Sequence, residues 1–520
     1  MDSISEQLPQ LFNVAAYFIE GNLALGRSEK TAFYYQDETY TYAQVSSFVR
    51  RSAKLLSHLD LQQENRIAIL VPDTPEFVFA FWGAIWLGAV PVPINTAYSV
   101  DDIQYILQDC RAKVLLTTQE WQEQLVPIQS QFLRHVLLVD GENSFVSLLA
   151  QQDELLTCAE TSRDEPAFWL YTSGSTGRPK GVIHLHQSMV VCAERYAKST
   201  LGLHTDDIAY SVANMSFAYG LGNTLYMPMA VGATAVLSNA NNAFEIITDI
   251  HRYRPTILFG IPSVYAAILA VDEISPLDVS SLRLCVSAAE QLPKSIWEKW
   301  LLTYNHEICE GIGTTEFLHI FLSNRVGECK PGTSGRPIPG YDIQIIDENG
   351  VPCPEGKIGD LQVSGESLML GYWNRLSQTR KAIYGNIMRT GDKYVRDSDN
   401  YFRFVGRTDD LFKVNGQWIS PMEIEDVLHQ HPQVLEVAVV PESESGEQLT
   451  QVVAYISLQP GQKPTPELEN SIRKFAKQQL PHFKAPKTVR FVDNLPRTAT
   501  GKIHRHLLVR SHNLVGNKAQ

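Results

Sequence analysis

Short apolar runs alternate with helical patterns over most of the chain. Runs rich in β-branched residues predict buried strands at residues 66–71, 114–117, 135–139, 256–260 and 282–286. Strands separated by helices are typical of α/β layers whose sheets are buried and largely parallel. The pattern therefore predicts an α/β protein with a large N-terminal domain of layered α/β subdomains.

The pattern changes at about residue 342, where shorter strands lie between turns. Residues 341–347, 359–364 and 401–405 fit such strands and indicate a β-rich subdomain. The polar turn at residues 406–411 separates two apolar segments. A boundary at this turn predicts an N-terminal domain at residues 1–407 and a C-terminal domain at residues 408–520.

The C-terminal segment has the pattern of a small α+β domain. Ser420, followed by Pro421 and Glu423, predicts a capping box with proline at the first helical position. Thr465 and Pro466 open a second helix in the same way. Each helix would bury one apolar face. The two faces comprise Ile424, Val427 and Leu428, and Leu468, Ile472 and Phe475, and the strands lie at residues 434–440, 451–458 and 488–492.

The longest apolar run, residues 77–94, approaches the length of a membrane span. Gly83 and Gly88 interrupt this run, and Val-Pro-Val-Pro at residues 90–93 breaks it. We interpret it as a buried helix ending near Leu87, followed by a short buried strand. Residues 1–10 are polar and acidic, which is unlike a signal peptide.

Composition narrows the possible functions. The 520 residues carry a net charge of −13. This acidity argues against nucleic acid as the main partner, because phosphate binding needs a clustered basic surface. Seven cysteines are scattered without a CxxC pair. Their distribution argues against a disulfide framework or zinc site and favours a reducing, cytoplasmic location.

The most informative segment is residues 171–181, Tyr-Thr-Ser-Gly-Ser-Thr-Gly-Arg-Pro-Lys-Gly. Its glycines let backbone N–H groups approach an anion, its hydroxyls add donors, and Lys180 adds a cation. These features predict a cradle for a triphosphate. The loop is not a Walker A motif, since Pro179 precedes Lys180 and Gly181 follows it. A flexible Gly/Ser linker is the structural alternative.

Six segments in order resemble the signature motifs of the adenylate-forming superfamily, which includes acyl-CoA synthetases, peptide-synthetase adenylation domains and luciferases. Together they cover about residues 168–502. The resemblance implies ATP and Mg²⁺ as cofactors and a small C-terminal domain that is mobile. The segments are residues 171–181, 310–316, 334–337, 390–392, 406–410 and 496–502.

The resemblance also assigns roles around the nucleotide. Thr315 would contact the α-phosphate, Glu316 would bind Mg²⁺, and Lys502 would stabilise the charge that develops during adenylation. Asp392 and Arg407 would hold the ribose. The β- and γ-phosphates would lie against Thr172, Ser173, Gly174, Ser175, Thr176, Gly177 and Lys180, and the adenine against Ala288, Ala289, Glu290, Glu310, Gly311 and Ile312.

A second reaction step needs space for a thiol at the acyl carbonyl. By resemblance, the small domain rotates about Asp409, and Gly416 faces the thiol of coenzyme A. The resemblance therefore implies that one chain catalyses two half-reactions, adenylation and thioester formation.

Residues 216–223 and 317–323 resemble the corresponding segments of benzoate and substituted-benzoate CoA ligases. Tyr219 can pack on the face of an aromatic ring, and His319 can donate to a ring substituent or a carboxylate. Packing of these side chains in the core is the alternative. The implied pocket is lined by Phe217, Ala218, Tyr219, Gly220, Leu318, His319 and Ile320.

The pair His184 and His186 occupies alternate positions of a predicted strand and was weighed as a metal site. No third ligand is near in sequence, so a packed strand is the preferred interpretation.

The sequence thus predicts an ATP-dependent aryl acid–CoA ligase, which forms aryl-AMP and pyrophosphate and then aryl-CoA and AMP. One alternative is an enzyme that loads the acid onto a separate acyl carrier protein. Another is a non-catalytic adenylate-binding protein, which would be expected to lack Lys502 or Glu316. A CoA transferase would not need a triphosphate loop. The expected partners are a small aromatic acid and CoA, without nucleic acid or a membrane span, in a monomer or homodimer.

Overall fold

The structure is a computed structural model, and it describes residues 3–172, 178–408, 410–414, 417–443, 450–459 and 461–497, together with residues 503, 505, 507 and 508. Apolar periodicity and polar caps set the first elements. Thr41, for example, begins a helix with a capping box to Gln44. These elements are α1 (Ile4–Gln7), α2 (Val14–Ala24), β1 (Thr31–Tyr35), β2 (Glu38–Thr41), α3 (Tyr42–His58), β3 (Arg66–Leu70), α4 (Pro75–Trp86), β4 (Val90–Pro93), α5 (Val100–Asp109), β5 (Val114–Thr117), α6 (Gln119–Gln124), β6 (His135–Leu138), α7 (Phe145–Leu149) and β7 (Pro166–Thr172).

The middle of the chain continues the alternation of strands and helices. Two helices are interrupted by π-helical segments, at Ala193–Lys198 and Gly222–Tyr226. The elements are β8 (Lys180–Leu185), α8 (His186–Cys192), β9 (Ile208–Ser211), α9 (Ala218–Leu221), α10 (Met227–Val231), β10 (Thr234–Leu237), α11 (Ala243–Tyr253), β11 (Ile257–Gly260), α12 (Pro262–Val271), β12 (Leu284–Ser287), α13 (Lys294–Tyr304), β13 (Ile308–Gly313), β14 (Ile320–Ser323) and β15 (Arg336–Pro337), with a 3₁₀ turn at Thr315–Phe317.

Shorter strands then become frequent, as predicted from residue 342 onward. The elements are β16 (Asp342–Ile346), β17 (Gly359–Ser364), β18 (Gly371–Tyr372), α14 (Leu376–Ala382), β19 (Ile383–Tyr384), β20 (Ile387–Arg396), β21 (Phe402–Arg407), β22 (Phe412–Val414), β23 (Gln417–Ile419), α15 (Pro421–Leu428), β24 (Val434–Ser443), β25 (Thr450–Leu458), α16 (Pro466–Gln479) and β26 (Thr488–Phe491).

The described residues form two compact units. One contains the residues up to Ile343 and Val363–Met388, and the other contains Gln344–Gln362 and the residues from Arg389 onward. The prediction of an α/β fold with a large N-terminal and a smaller C-terminal domain is confirmed. The boundary after residue 407 and the mobility of the small domain remain predictions.

A mixed sheet dominates the first unit. Its strand order is β15-β14-β13-β12-β11-β9-β10-β1-β2, and the pairs from β13 through β1 are parallel. A parallel sheet, β4-β3-β5-β6, and an antiparallel sheet, β18-β8-β7, complete the unit. Because β9, β11, β12 and β13 are parallel neighbours, the segments that follow them meet at one edge of the sheet.

The apolar run at residues 77–94 forms the buried helix α4 and the buried strand β4, as predicted. In the part of the chain that the structure describes, no helix is long and apolar enough to cross a membrane.

In the second unit, α15 and α16 pack with β24, β25 and β26 around one apolar cluster. Ser420 caps α15 by accepting a hydrogen bond from the Glu423 backbone N–H at 3.4 Å. The predicted capping box also requires the Glu423 side chain to accept from the Ser420 N–H, and this bond is absent among the described residues. The Glu423 carboxylate instead pairs with Lys484 Nζ at 2.6 Å. The inward position predicted for Phe475 is taken by Ala476, and Phe475 is only half-buried.

Candidate active site

Strands β7 and β8 present the two ends of the predicted phosphate loop. Thr172 is paired with Lys180 in the antiparallel register, at the two ends of the loop. Ser173, Gly174, Ser175, Thr176 and Gly177 lie outside the described residues. The structure therefore places the loop's first hydroxyl and its lysine side by side.

A cluster of three side chains, Lys180, Glu316 and Tyr372, lies next to this loop; we refer to it as the nucleotide cluster. Lys180 Nζ is 3.8 Å from Glu316 Oε1 and 3.7 Å from the centroid of the Tyr372 ring. The Tyr372 hydroxyl donates to the same carboxylate oxygen at 2.6 Å. A cation above an aromatic face and beside a carboxylate is electrostatically stabilised in its charged form. Two predicted residues from distant motifs are thus brought together.

The backbone around Glu316 is held from several sides. His184 Nε2 lies 2.7 Å from the Thr315 carbonyl oxygen, and the Met369 N–H donates to the Glu316 carbonyl oxygen at 2.7 Å. Burial lowers the pKa of His184 to about 4, so its neutral imidazole donates to Thr315 at neutral pH. A Cβ at Gly313 would lie 2.1 Å from the His319 carbonyl oxygen, which only glycine avoids.

These contacts decide the question of a metal site at His184 and His186. His186 Nδ1 accepts from the Val14 N–H at 3.1 Å, and His186 begins α8 rather than continuing the strand. The described residues contain no group of three or more potential metal ligands. Both histidines have structural partners.

The predicted adenine segments are neighbours at the edge of the sheet. Ser287 of β12 pairs with Glu310 of β13, and Glu310 Oε1 accepts from the Leu292 N–H at 3.2 Å. Glu310 is buried, so its carboxylate fixes the segment that contains Ala288, Ala289 and Glu290. Ala289 has φ of 72°, a left-handed conformation that favours glycine. Gly311 and Ile312 continue β13 and pair with β14.

In the second unit, Asp392 and Arg407 are paired across β20 and β21. Arg407 Nη1 donates to Asp392 Oδ1 at 2.7 Å and to the Thr390 carbonyl oxygen at 3.1 Å. Asp392 is 3% exposed. The two residues predicted to hold a ribose therefore form one charge-assisted hydrogen-bonded pair.

The residues predicted to line an aromatic pocket lie near the ends of β9, β11 and β13. We use the name aromatic pocket for this set, which comprises Phe217, Ala218, Tyr219, Leu318, His319 and Ile320. The Tyr219 hydroxyl donates to the Gly260 carbonyl oxygen at 3.3 Å, and its ring is 5.6 Å from that of His319. Gly220 and Gly222 allow close packing. A Cβ at these positions would lie 2.1 Å from the Asn214 carbonyl oxygen and 2.5 Å from His319 Cδ2, respectively.

The aromatic pocket is electrically neutral. Burial lowers the pKa of His319 to about 3, and burial raises the pKa of Tyr219 well above its usual value. A hydrogen bond with the Tyr219 backbone favours the charged form of His319, but the effect of burial is larger and keeps the imidazole neutral.

Sequence reasoning missed three contributors. Tyr372 has no motif of its own and is revealed only by the pairing of β18 with β8. Tyr196 lies in a π-helical segment, a feature frequent at functional sites, and its ring is 5.1 Å from that of His319. Asp73 is buried and accepts the Met215 N–H at 3.0 Å, which holds the segment before Phe217.

Like residues 173–177 of the phosphate loop, Lys502, Asp409 and Gly416 lie outside the described residues. Their roles remain predictions.

Comparison with known proteins supports the same assignment. The chain matches the model of the AMP-binding enzyme family over residues 23–373 and that of the AMP-binding enzyme C-terminal domain over residues 423–502. It is 40% identical to benzoate–CoA ligase of Thauera aromatica, with 96% of each chain covered. It is 39% identical to 4-hydroxybenzoate–CoA/benzoate–CoA ligase of Rhodopseudomonas palustris, with 96% of this chain and 94% of that protein covered.

Solved structures of aryl-CoA ligases have the same fold as this chain. The fold matches the anthranilate CoA ligase AuaEII in complex with anthranoyl-AMP with a TM-score of 0.94 and 36% identity, covering 99% of this chain and 100% of the other. It matches a benzoate CoA ligase from Burkholderia xenovorans LB400 with a TM-score of 0.89 and 37% identity, covering 96% and 100%. The chain therefore belongs to the AMP-binding enzyme family, the adenylate-forming superfamily that its motifs resemble, on the branch of the benzoate–CoA ligases.

Proposed function

We propose that this protein is an ATP-dependent aryl acid–CoA ligase whose acid is benzoate or a substituted benzoate. The observation that carries the proposal is one short segment, residues 313–320. It holds Glu316 of the nucleotide cluster and, three residues later, His319 of the aromatic pocket. An acid in the pocket would thus have its carboxylate close to a phosphate held at Thr315.

The nucleotide cluster fits a hard cation bound together with phosphate. Glu316 supplies one oriented carboxylate, since Tyr372 holds its Oε1 atom. Mg²⁺ is commonly bound through one or two carboxylates plus substrate phosphates rather than in an all-protein cage. When bound, the ion neutralises charge on the phosphates. Lys180 adds a positive charge next to the loop that would receive the β- and γ-phosphates.

In the first half-reaction the aryl carboxylate attacks the α-phosphorus, and pyrophosphate leaves. We assign Thr315 to the α-phosphate, and the contact of His184 with its carbonyl oxygen, which fixes the Thr315 backbone, supports this assignment. We assign Lys502 to the developing negative charge, because an ammonium between the two anions both orients and stabilises them. Asp392, oriented by Arg407, would accept hydrogen bonds from the ribose hydroxyls.

The side chains predicted to line the aromatic pocket support an aromatic acid. Tyr219 and His319 supply flat faces, while Leu318 and Ile320 are buried apolar side chains. Flat aromatic surfaces favour an arene through offset or edge contacts. The named relatives, which act on benzoate and hydroxybenzoate, support this choice.

In the second half-reaction the thiol of CoA attacks the acyl carbonyl and AMP leaves. Asp409 as the pivot and Gly416 as the site of close approach follow from the superfamily resemblance. A separate carrier protein remains the alternative acceptor, and the relatives named as CoA ligases favour CoA.

The cysteines occur as free thiols, which supports the proposed cytoplasmic location.

The test is a panel of acids assayed for AMP release with ATP and Mg²⁺. The panel contains benzoate, hydroxybenzoates, aminobenzoates and medium- and long-chain fatty acids. We expect the benzoates to give the highest kcat/KM. A preference for long alkyl chains would contradict the aromatic pocket. Parallel reactions with CoA and with a pantetheinylated carrier protein identify the acceptor by the thioester formed.

A further inference from the structure

Two cysteine thiols lie side by side next to the adenine motif. Cys309 Sγ is 3.5 Å from Cys329 Sγ. Cys309 is a buried residue of β13, directly before Glu310, and Cys329 is half-buried in the turn that follows β14. Neither thiol has a role in the proposed reaction.

The backbone on both sides of this thiol pair is fixed. The Asn324 N–H donates to the Glu310 carbonyl oxygen at 2.8 Å, and its side chain donates to the Thr333 carbonyl oxygen at 2.8 Å. The Lys330 N–H in turn donates to Asn324 Oδ1 at 3.0 Å. The turn that carries Cys329 is therefore anchored to the residue that follows Cys309. The two sulfurs remain close because the structure around them is ordered by hydrogen bonds.

Cys309 borders a cavity, although the residue itself is only 1% exposed. The cavity has a volume of about 360 Å³ and is also lined by Arg283 and Arg325. This volume admits an oxidant of the size of hydrogen peroxide, since a water molecule occupies about 30 Å³. The hydrogen bond with Cys309, followed by burial, raises the pKa of Cys329, so Cys329 remains a thiol at neutral pH.

We propose that Cys309 and Cys329 are a redox modification site, at which hydrogen peroxide forms a reversible disulfide that restrains the nucleotide motif. The Cys309 thiolate attacks one peroxide oxygen, the O–O bond breaks, and the hydroxide that leaves takes a proton to become water. Cys309 is then a sulfenic acid. The Cys329 sulfur attacks the Cys309 sulfur, the S–O bond breaks, and a second water leaves with the thiol proton. Two thiols lose two electrons, which reduce one peroxide to two waters.

The location of the bond determines its effect. It would close the segment from residue 309 to residue 329 into a covalent ring, and that ring contains Glu310, Thr315, Glu316 and His319. The sulfurs must approach from 3.5 Å to about 2.05 Å, which displaces β13 at the residue before the adenine motif. Oxidation should therefore raise the KM for ATP several-fold. It should also raise Tm, because the ring restricts the unfolded chain.

The experiment uses the full-length protein with all seven cysteines. Reduced protein is treated with hydrogen peroxide, its remaining thiols are blocked with N-ethylmaleimide, and unreduced peptides are identified by mass spectrometry. We expect a Cys309–Cys329 cross-linked peptide, a higher Tm and a several-fold rise in the KM for ATP, all reversed by dithiothreitol. In C329S, dimedone should label Cys309, whereas C309S should leave Cys329 unlabelled. The matched control C353S replaces another buried cysteine and should respond as the wild type does.

Two results would overturn the proposal. One is oxidation of other cysteines without the cross-linked peptide. The other is a cross-link that leaves the KM for ATP unchanged. The peptide and Tm measurements do not depend on activity, and the reduced protein is assayed first. A reduced protein that fails to form aryl-CoA would therefore count against the proposed function and not against the disulfide.

Discussion

The nucleotide cluster and the aromatic pocket each take residues from the segment 313–320, Glu316 and His319 respectively, but they differ in electrostatic character. The nucleotide cluster keeps formal charges, with Lys180 Nζ 3.8 Å from Glu316 Oε1. The aromatic pocket keeps only neutral groups, because burial holds His319 and Tyr219 uncharged. A triphosphate with a cation needs fixed charges nearby, whereas an arene needs apolar surface. In the proposed function, the segment would therefore separate the binding of the two substrates by their polarity.

The substitution Glu316→Gln is the strongest test of the charged nucleotide cluster. This change keeps the shape but removes the negative charge that would bind Mg²⁺ and pair with Lys180. We expect acid-dependent pyrophosphate exchange to fall about 100-fold or more, as when a group aimed at a reacting phosphate or oxyanion is lost. The matched control Glu29→Gln alters an exposed carboxylate that has no predicted role at the site, and it should stay near wild type. Equal loss in both variants would remove Glu316 from its assigned role.

The neutral aromatic pocket is tested by Gly222→Ala. The new methyl would lie 2.5 Å from His319 Cδ2, so the imidazole must move into the aromatic pocket. Overpacking of this kind costs about 1–3 kcal/mol, and a cost of this size on acid binding corresponds to a rise of about 5- to 150-fold in the KM for the acid. The KM for ATP should change little. Gly21→Ala is the control, because a Cβ there has no atom within 4 Å. A parallel rise in both KM values would show that the two sites are not separated.

A smaller effect is expected from Tyr372→Phe. The change removes the hydroxyl that donates to Glu316 at 2.6 Å but keeps the ring beneath Lys180. Loss of one hydrogen bond to a charged group corresponds to about 1.5 kcal/mol, or about tenfold in kcat/KM for ATP. Tyr384→Phe, at a 68% exposed tyrosine, is the control. If kcat/KM for the acid falls instead, Tyr372 serves the pocket rather than the nucleotide.

The sequence was sufficient to predict most of the fold because its signals are local. β-Branched runs fix the strands of the parallel sheets, and Gly88 lies between the end of α4 and the start of β4, which contains both following prolines. The structure differs from the prediction where side chains compete for the same partner. Glu423 pairs with Lys484 instead of completing the capping box of α15, and a residue 61 positions away cannot be read from a local motif.

The candidate site was predictable where motifs mark it and not where tertiary contacts build it. Glu316 and Lys180 were found from motifs, and the structure adds their proximity. Tyr372 and Asp73 were missed because each acts through one long-range contact, to Glu316 and to the Met215 N–H. The left-handed backbone at Ala289 was also invisible, since alanine gives no signal of a positive φ.

The smallest effect on catalysis is expected from pH. Burial holds the pKa of His319 to about 3, so the imidazole stays neutral from about pH 5.5 to about pH 8 and the KM for the acid should vary less than about twofold. The free energy of unfolding, unlike the KM for the acid, should depend on pH. An unfolded histidine titrates near 6.5, so below that pH the unfolded chain binds more protons than the folded one, and stability is lost as pH falls towards 4.

This pH response can be assigned to one residue by measuring Tm at about pH 7 and about pH 5. His319→Asn removes one buried imidazole and should reduce the loss of Tm on acidification. His58→Asn changes an exposed histidine and should leave that loss unchanged. If the wild-type KM for the acid instead follows a titration near pH 6.5, His319 is protonated in the pocket. The contrast between a charged nucleotide cluster and a neutral aromatic pocket would then be wrong, because the imidazolium would be available to pair with the carboxylate of the acid.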